Sequence, residues 1–340
     1  MEGVRIRPRR LVLVGSVVVD ALLSVDRLPE RGGDLVARQL VSGVGGGFNV
    51  LAAAARVGME TAFGGRTGAG VFGERARRAL EAAGVATLLP PDERADTGLV
   101  VGLVEPDGER TFVTAPGAEA ALAADDLDAL PLRAGDAVYV SGYDLVYPVS
   151  GRSLAGWLPG LRGDLLLTVD PGPLVADIPA ERRERVLART DLLSLNDREA
   201  AALCGLEDPA AAAGRLAERL AAGGMAVVRT GAEGCWLGTA GAAPVHVPGR
   251  PARAVDTTGA GDTHVAVFLA RLGAGDDPAW AAWVANVAAS LSARGTGRRP
   301  DRRGAGRRAR PGLTTVRGAG PAADARVGRE PAPRHPEGRR

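Results

Sequence analysis

The chain has 340 residues, 46% of them hydrophobic and 24% charged, enough to bury one large α/β domain of roughly 250–300 residues with a small appendage. No run of about 18 uncharged apolar residues occurs and no apolar leader precedes the first strand, so a soluble, cytoplasmic protein without a membrane partner is expected; two cysteines, Cys204 and Cys235, are too few for a disulfide framework and lack metal-ligand spacing. There is no lysine, so phosphate must be met by backbone amides, arginine or a metal ion, and the net charge of +2 is unevenly spread: residues 298–340 hold 13 Arg against four acids, leaving residues 1–297 at −7.

Leu11-Val12-Leu13-Val14-Gly15 is a short apolar run ending in glycine, the pattern of a strand buried on both faces. Segments 137–142, 165–170, 191–196 and 225–231 repeat it, and each ends in small or polar residues. Stretches rich in Ala, Leu, Glu and Arg over 73–83, 181–188, 198–204 and 210–222 read as helices between them. Such alternation predicts an α/β fold, a mostly parallel sheet with helices on both faces. Asp20, Ser141-Gly142, Asp170, Asn196 and Thr230-Gly231 would then gather at the carboxyl ends of the strands, where open α/β sheets bind ligands.

One stretch departs from this rhythm. Residues 97–104 and 109–114 flank Pro106-Asp107-Gly108, which predicts a β-hairpin projecting from the main sheet as part of a lid. Beyond Gly297, Arg, Gly, Pro and Ala dominate and aromatic residues are absent. A folded domain over 1–297 and a disordered tail over 298–340 are therefore expected, although an out-of-frame end would look the same. Basic arms that bind nucleic acid usually carry stacking aromatics or a folded motif, so no nucleic-acid partner is expected.

Two glycine-rich segments carry the chemistry. Asp256-Thr257-Thr258-Gly259-Ala260-Gly261-Asp262 runs straight into the apolar segment 265–270. Its small residues allow a tight turn, so the amides of Gly259, Ala260 and Gly261 can converge at a helix start, where unpaired donors and the helix dipole attract an anion. Asp262 beside them could take a proton from a hydroxyl while the amides steady a transferred phosphoryl group. The same letters also fit an ordinary capped helix start. The second segment, Gly43-Val44-Gly45-Gly46-Gly47-Phe48-Asn49-Val50, precedes an Ala-rich helix and offers backbone amides and the Asn49 amide to a polar ligand; a flexible loop capped by Asn49 is the plainer alternative. His264 reads either as a second acid or base or as a residue packed against the sheet.

The Gly-Gly-x-Asn helix start, Gly64-Gly65-Arg66-Thr67-Gly68 after it and Asp256–Asp262 late in the chain resemble the two signatures of the ribokinase-like, or PfkB-type, sugar kinases. The likeness runs from about Leu11 to Gly297. It includes Asn196-Asp197-Arg198-Glu199, similar to the family's Asn-x-x-Glu motif, and Arg229–Gly234, similar to its nucleotide-binding strand and turn. The resemblance implies a three-layer α/β/α sandwich with a mostly parallel central sheet and a small β-sheet lid over about 20–45 and 95–116. The hairpin around Asp107-Gly108 is expected to pair with its copy in a homodimer, because an exposed β edge is a liability unless covered. It also implies ATP-dependent phosphorylation of a sugar hydroxymethyl group with Mg²⁺, Asp262 as the general base and the Gly259, Ala260 and Gly261 amides as the anion hole. Asp20, Gly46, Gly47 and Asn49 match the family's sugar-binding positions. Asn196 and Glu199 match the pair that organises metal and phosphates, Thr230, Gly231 and Asn286 lie along the nucleotide, and Asp256 and Thr258 match a monovalent-cation (K⁺) site.

The residues themselves leave alternatives beside these roles. A carboxylate accepts several hydroxyls at once, which suits Asp20 to orienting a sugar, but a turn-capping Asp has the same spelling. Glu199 follows Asn196 by three positions and could equally complete a capping box. Asp256 could merely stabilise its loop. Val18, Gly46 and Ser141-Gly142-Tyr143 depart from the prototype ribokinase at sugar-contacting positions, so ribose need not be the substrate. A nucleoside of the adenosine or pseudouridine type is the rival acceptor, favoured by an apolar clamp near Asp20 and Phe112. A sugar-binding protein that has lost catalysis is the rival class.

Overall fold

The computed structural model describes residues 7–251 and 257–293. All of these belong to a unit spanning Met1–Gly297; a second unit, Arg298–Arg340, lies outside the described residues, as does Asp256. Nine described strands form the main sheet: β1 (Arg10–Leu13), β4 (Glu60–Phe63), β5 (Ala86–Thr87), β8 (Asp136–Ser141), β9 (Leu166–Asp170), β10 (Leu192–Asn196), β11 (Met225–Arg229), β12 (Gly234–Thr239) and β13 (Val245–Pro248). Their order is β13-β12-β11-β10-β9-β8-β1-β4-β5. From β11 to β5 every pairing is parallel, while β12 and β13 add an antiparallel edge that the alternation in the sequence did not disclose.

Helices cover both faces, because every central strand is apolar on both sides. The helices are α1 (Phe48–Arg56), α2 (Val71–Ala82), α3 (Ala124–Asp128), α4 (Gly142–Val146), α5 (Ser150–Trp157), α6 (Ala180–Leu187), α7 (Asp197–Cys204), α8 (Pro209–Ala217), α9 (Ala260–Gly273) and α10 (Pro278–Ser292). Leu11, Leu13, Leu166, Leu192 and Val227 pack under α1, α2, α9 and α10. Their neighbours Val12, Val138, Leu167, Leu193 and Val228 point the other way, under α3 and α5 to α8. Two apolar cores separated by one sheet make the expected three-layer α/β/α arrangement.

A second sheet of order β3-β2-β6-β7 is built from β2 (Val17–Ser24), β3 (Gln39–Gly46), β6 (Leu99–Val104) and β7 (Arg110–Ala115). The hairpin β6–β7 is the one expected, turning at Gly108 with φ of 90°. It starts two residues late because the Thr97 hydroxyl accepts the Gly68 amide at 2.9 Å and the Gly98 amide donates to the buried Glu119 carboxylate at 2.9 Å. Helix α8 likewise stops five residues short of its expected end, where the Ala221 amide leaves the helical register to bond the Thr190 carbonyl at 3.0 Å. The two faces of the small sheet differ. Ser42, opposite Ala21, receives a hydrogen bond from Arg75 of α2, so that face lies toward α2, and Asp20, opposite Gly43, lies on the other.

Candidate active site

Asp262 is the third residue of α9, whose N-cap Gly259 has φ of 73°, a left-handed conformation that side chains resist. That turn puts the carboxylate beside the helix start. Of the three amides expected there, Ala260 donates back to the Thr257 carbonyl at 3.1 Å, whereas those of Gly259 and Gly261 make no bond among the described residues. The donors available to an anion are thus the glycine amides on either side of Ala260. Asn49, the second residue of α1, meets the same spot: its side chain is hydrogen-bonded to Asp262 and lies beside Gly259.

Gly46 and Gly47 make this meeting possible. Gly46 has φ of 62°, and a Cβ on Gly47 would lie 2.4 Å from Leu13 and 3.0 Å from the Ser16 carbonyl. Only glycine lets α1 begin so close to the end of β1. Asp20 projects from β2 against Gly45, where any Cβ would collide with its carboxylate. The Gly43–Val50 segment therefore seats two polar groups, Asn49 beside Asp262 and Asp20 on the small sheet.

The electrostatics centre on Asp262. Burial, reinforced by the charge of Asp170, pushes its carboxyl up to about 6, against the opposing effects of the Asn49 hydrogen bond and the Arg229 charge. A buried base near neutrality in a cleft is what proton abstraction from an alcohol needs. His264, two residues on, is fully packed and pushed down to about 3 chiefly by burial, so it is neutral at physiological pH. Its Nε2 meets the Asn286 oxygen at 3.1 Å, which makes it the packed histidine rather than a second acid.

Beside the helix start opens a cavity of about 560 Å³ lined in part by Asn196, Thr230, Gly231, Thr257, Gly261 and Asn286. Four of the five expected nucleotide residues, Asn196, Thr230, Gly231 and Asn286, thus line one cavity, while Glu199 is not among its lining residues. Asn196 caps α7 by accepting the Glu199 amide at 2.8 Å, and Glu199 Oε2 accepts the Asn196 amide at 2.8 Å, a complete capping box. Glu199 is raised above the usual carboxylate range by burial and by Asp170. Asn286 is held by the scaffold, its Nδ2 donating to the Val247 and Pro248 carbonyls at 3.1 and 3.2 Å. Thr258, a candidate cation ligand, instead receives a hydrogen bond from Arg110 of β7. Among the described residues no group of three or more His, Cys, Asp or Glu side chains forms a ready metal site.

Several groups at the site were given no role from the sequence. Arg229, at the end of β11, donates to Asp170 at 3.0 Å and to Ser194 at 3.0 Å. A charge closing an apolar strand was the available signal for it. Tyr143 is half-exposed, and its phenol is raised by burial and by the charges of Glu199, Asp262 and Asp170, so its ring faces the same cluster. Its neighbour Asp144 is buried against the Ser16 hydroxyl and pushed up to about 7, mainly by burial.

The chain matches the pfkB family carbohydrate kinase model over residues 8–302. It belongs to that family. The "Uncharacterized sugar kinase YegV" of Escherichia coli K12 is 34% identical over 284 residues, 82% of this chain and 87% of the relative. An ATP-dependent ribose-1-phosphate kinase of Halopiger xanaduensis is 33% identical over 287 residues, 84% of this chain and 92% of the relative. In fold, the chain is similar to Arabidopsis thaliana ribokinase complexed with ribose and ATP, with a TM-score of 0.68 at 24% identity, covering 85% of this chain and 94% of that one. As a member of this family the protein is a carbohydrate kinase, and its main sheet, helices and smaller antiparallel-edged sheet are those of the ribokinase-like fold.

Proposed function

We propose that this kinase transfers the terminal phosphoryl group of ATP to the hydroxymethyl group of a furanose-like sugar or related small polyol. The observation that carries the reading is the placement of Asp262: a desolvated carboxylate near neutrality, bonded to Asn49 and one residue beyond the Gly261 amide at the start of α9. In the reaction, Asp262 takes the proton of the acceptor hydroxyl as its oxygen bonds to the γ-phosphorus. The bond to the bridging oxygen then breaks and its electron pair leaves with ADP. The Gly259 and Gly261 amides and the positive end of α9 meet the charge on the transferring group. Asp20 and Asn49 orient the acceptor by accepting and donating hydrogen bonds to its other hydroxyls.

The nucleotide lies along Thr230 and Gly231 in the 560 Å³ cavity, with its phosphates toward α9. Mg²⁺ would arrive with ATP and would supply neutralisation of the phosphate charge. The donor set fits a hydrated ion: both described contacts of the Glu199 carboxylate use Oε2, so Oε1 would be left to accept from the ion's water shell. The small sheet acts as the lid over the acceptor. Its exposed edge strand β7, with Phe112 and Val113 open to solvent, is the surface through which two copies pair.

The deciding experiment is ATP-dependent phosphorylation of a panel of sugars, polyols and nucleosides by the wild-type chain and by Asp262→Asn. Transfer to a sugar, reduced at least about a hundredfold in the variant with ATP binding retained, supports the proposal. Transfer to nucleosides alone would reassign the acceptor. Comparable turnover in the variant would remove Asp262 from the mechanism.

A further inference from the structure

We infer that Arg229 is the fixed cation of the phosphoryl-transfer site, a positioning residue whose guanidinium is clamped beside the anion hole to offset the site's own carboxylates and favour the terminal phosphate. The inference rests on the kinase reading above and concerns a residue to which that reading gives no role.

The sheet dictates the clamp. β10 lies between β11 and β9, so Arg229 must cross one strand to reach Asp170. Residues paired across a parallel sheet share a face, and Tyr139, Thr168, Ser194 and Arg229 all fall on the face that carries α9. Along that crossing NH1 donates to Ser194 Oγ and Asp170 Oδ2, both at 3.0 Å, and reaches the Gly261 carbonyl at 3.5 Å. NH2 lies 3.7 Å from Glu199 Oε2. A planar fork with five donors can satisfy these groups at once, and an ammonium cannot.

The guanidinium also approaches the anion hole itself. A Cβ on Gly261 would lie 3.3 Å from the guanidinium carbon, so the guanidinium rests against the backbone whose amide is offered to phosphate. The Arg229 side chain is 13% exposed, and the residue lines the nucleotide cavity. A clip made only to fasten strands would not need that address.

Charge balance explains why a cation is required there. Asp170, Glu199 and Asp262 gather around Arg229 behind the cavity that it lines, and a triphosphate entering the cavity adds further negative charge. The other titratable groups facing Asp262 are the phenols of Tyr139 and Tyr143, both raised by burial, and His264, which is neutral. No lysine exists anywhere in the chain. Arg198 and Arg250, which also line the cavity, are solvent-exposed and correspondingly screened.

The test compares wild type with Arg229→Lys, Arg229→Gln and the charge-balanced double variant Asp170→Asn/Arg229→Gln, which carries the measurement should Arg229→Gln alone fail to fold. Two readouts are taken on folded protein. The first, independent of any acceptor, is equilibrium binding of Mg-ATP and Mg-ADP by titration calorimetry. Loss of the cation should weaken ATP at least about fivefold while changing ADP less, because the guanidinium sits at the terminal phosphate's end. The second is the pH dependence of kcat with the best acceptor of the panel. Turnover should fall about a hundredfold with little change in acceptor KM, and the acidic limb should move up by about one pH unit as Asp262 loses its counter-charge. Arg229→Lys should fall between wild type and Arg229→Gln in both. An unchanged ATP-to-ADP preference in folded variants, or an unmoved acidic limb at near wild-type turnover, overturns the inference and leaves Arg229 a strand clip. A wild-type chain that phosphorylates nothing in the panel overturns the kinase reading instead, and the binding comparison still judges Arg229.

Discussion

Asp262 should be a destabilising residue at neutral pH, and Asp262→Asn should therefore strengthen the fold while disabling the enzyme. Its carboxyl is raised from 3.8 to about 6 in the folded protein, first by burial and then by Asp170. Between those values the folded state holds a proton that the unfolded chain has released, so stability falls as pH rises through the window from about 4 to about 6. That window is about two pH units wide, and at about 1.36 kcal/mol for each it sets an upper figure of about 3 kcal/mol lost by pH 7. Asparagine keeps the shape and a hydrogen bond to Asn49 and carries no charge for burial or Asp170 to oppose. Urea unfolding of both proteins at several pH values checks this. The stability difference should be small near pH 4.5, grow to about 1–3 kcal/mol in favour of the variant by pH 7.5, and raise Tm by several degrees. A gain that does not depend on pH, or a variant less stable at pH 7.5, would refute the electrostatic account. The wild-type kcat should fall below about pH 6 for the same reason, since the base must be ionised to accept a proton.

Two further outcomes test the scaffold around that base. Gly47→Ala has no room, because its Cβ would lie 2.4 Å from Leu13 and 3.0 Å from the Ser16 carbonyl; the helix must shift, destabilising the protein by about 1–3 kcal/mol. The shift also moves Asn49 away from Asp262, so acceptor kcat/KM should fall with Tm, and a variant of wild-type Tm and activity would show that the approach is looser than described. If the small sheet pairs two copies, sedimentation at micromolar concentration should give a dimer that Phe112→Arg, at an exposed edge-strand position, converts to monomer. A wild-type monomer under those conditions removes the pairing.

The layers of the fold were legible in the sequence because buried parallel strands announce themselves as unbroken apolar runs, as Leu11–Val14 and Leu165–Leu167 do. The antiparallel pair β12–β13 was not, since Cys235, Trp236 and Val245–Val247 give only short, irregular alternation beside glycine and proline. At the site, glycines spaced for tight turns and an acid after them pointed to α9 and Asp262 directly. The capping box between Asn196 and Glu199 was one of two readings of the same spacing, and the structure realises it without taking all of the Glu199 carboxylate. What sequence could not reach was the meeting of Arg229 with Asp170, 59 residues apart, because which strands are neighbours decides that contact.

The same topology explains why a single face of the sheet became polar. Residues two apart along each strand return to one side, so Tyr139 and Ser141 on β8, Thr168 and Asp170 on β9, Ser194 on β10 and Arg229 on β11 line up beneath the start of α9. The opposite side, one residue out of step, stays apolar and carries the second core through Val138, Val140, Leu193 and Leu195. Moving the polar set by one residue would bury it among those leucines and valines, where each unpaired charge is strongly unfavourable. Alternation along the strands thus ties the integrity of one core to the position of the charges on the other face, and it makes a desolvated Asp262 sustainable only where Asn49 and Arg229 can reach it.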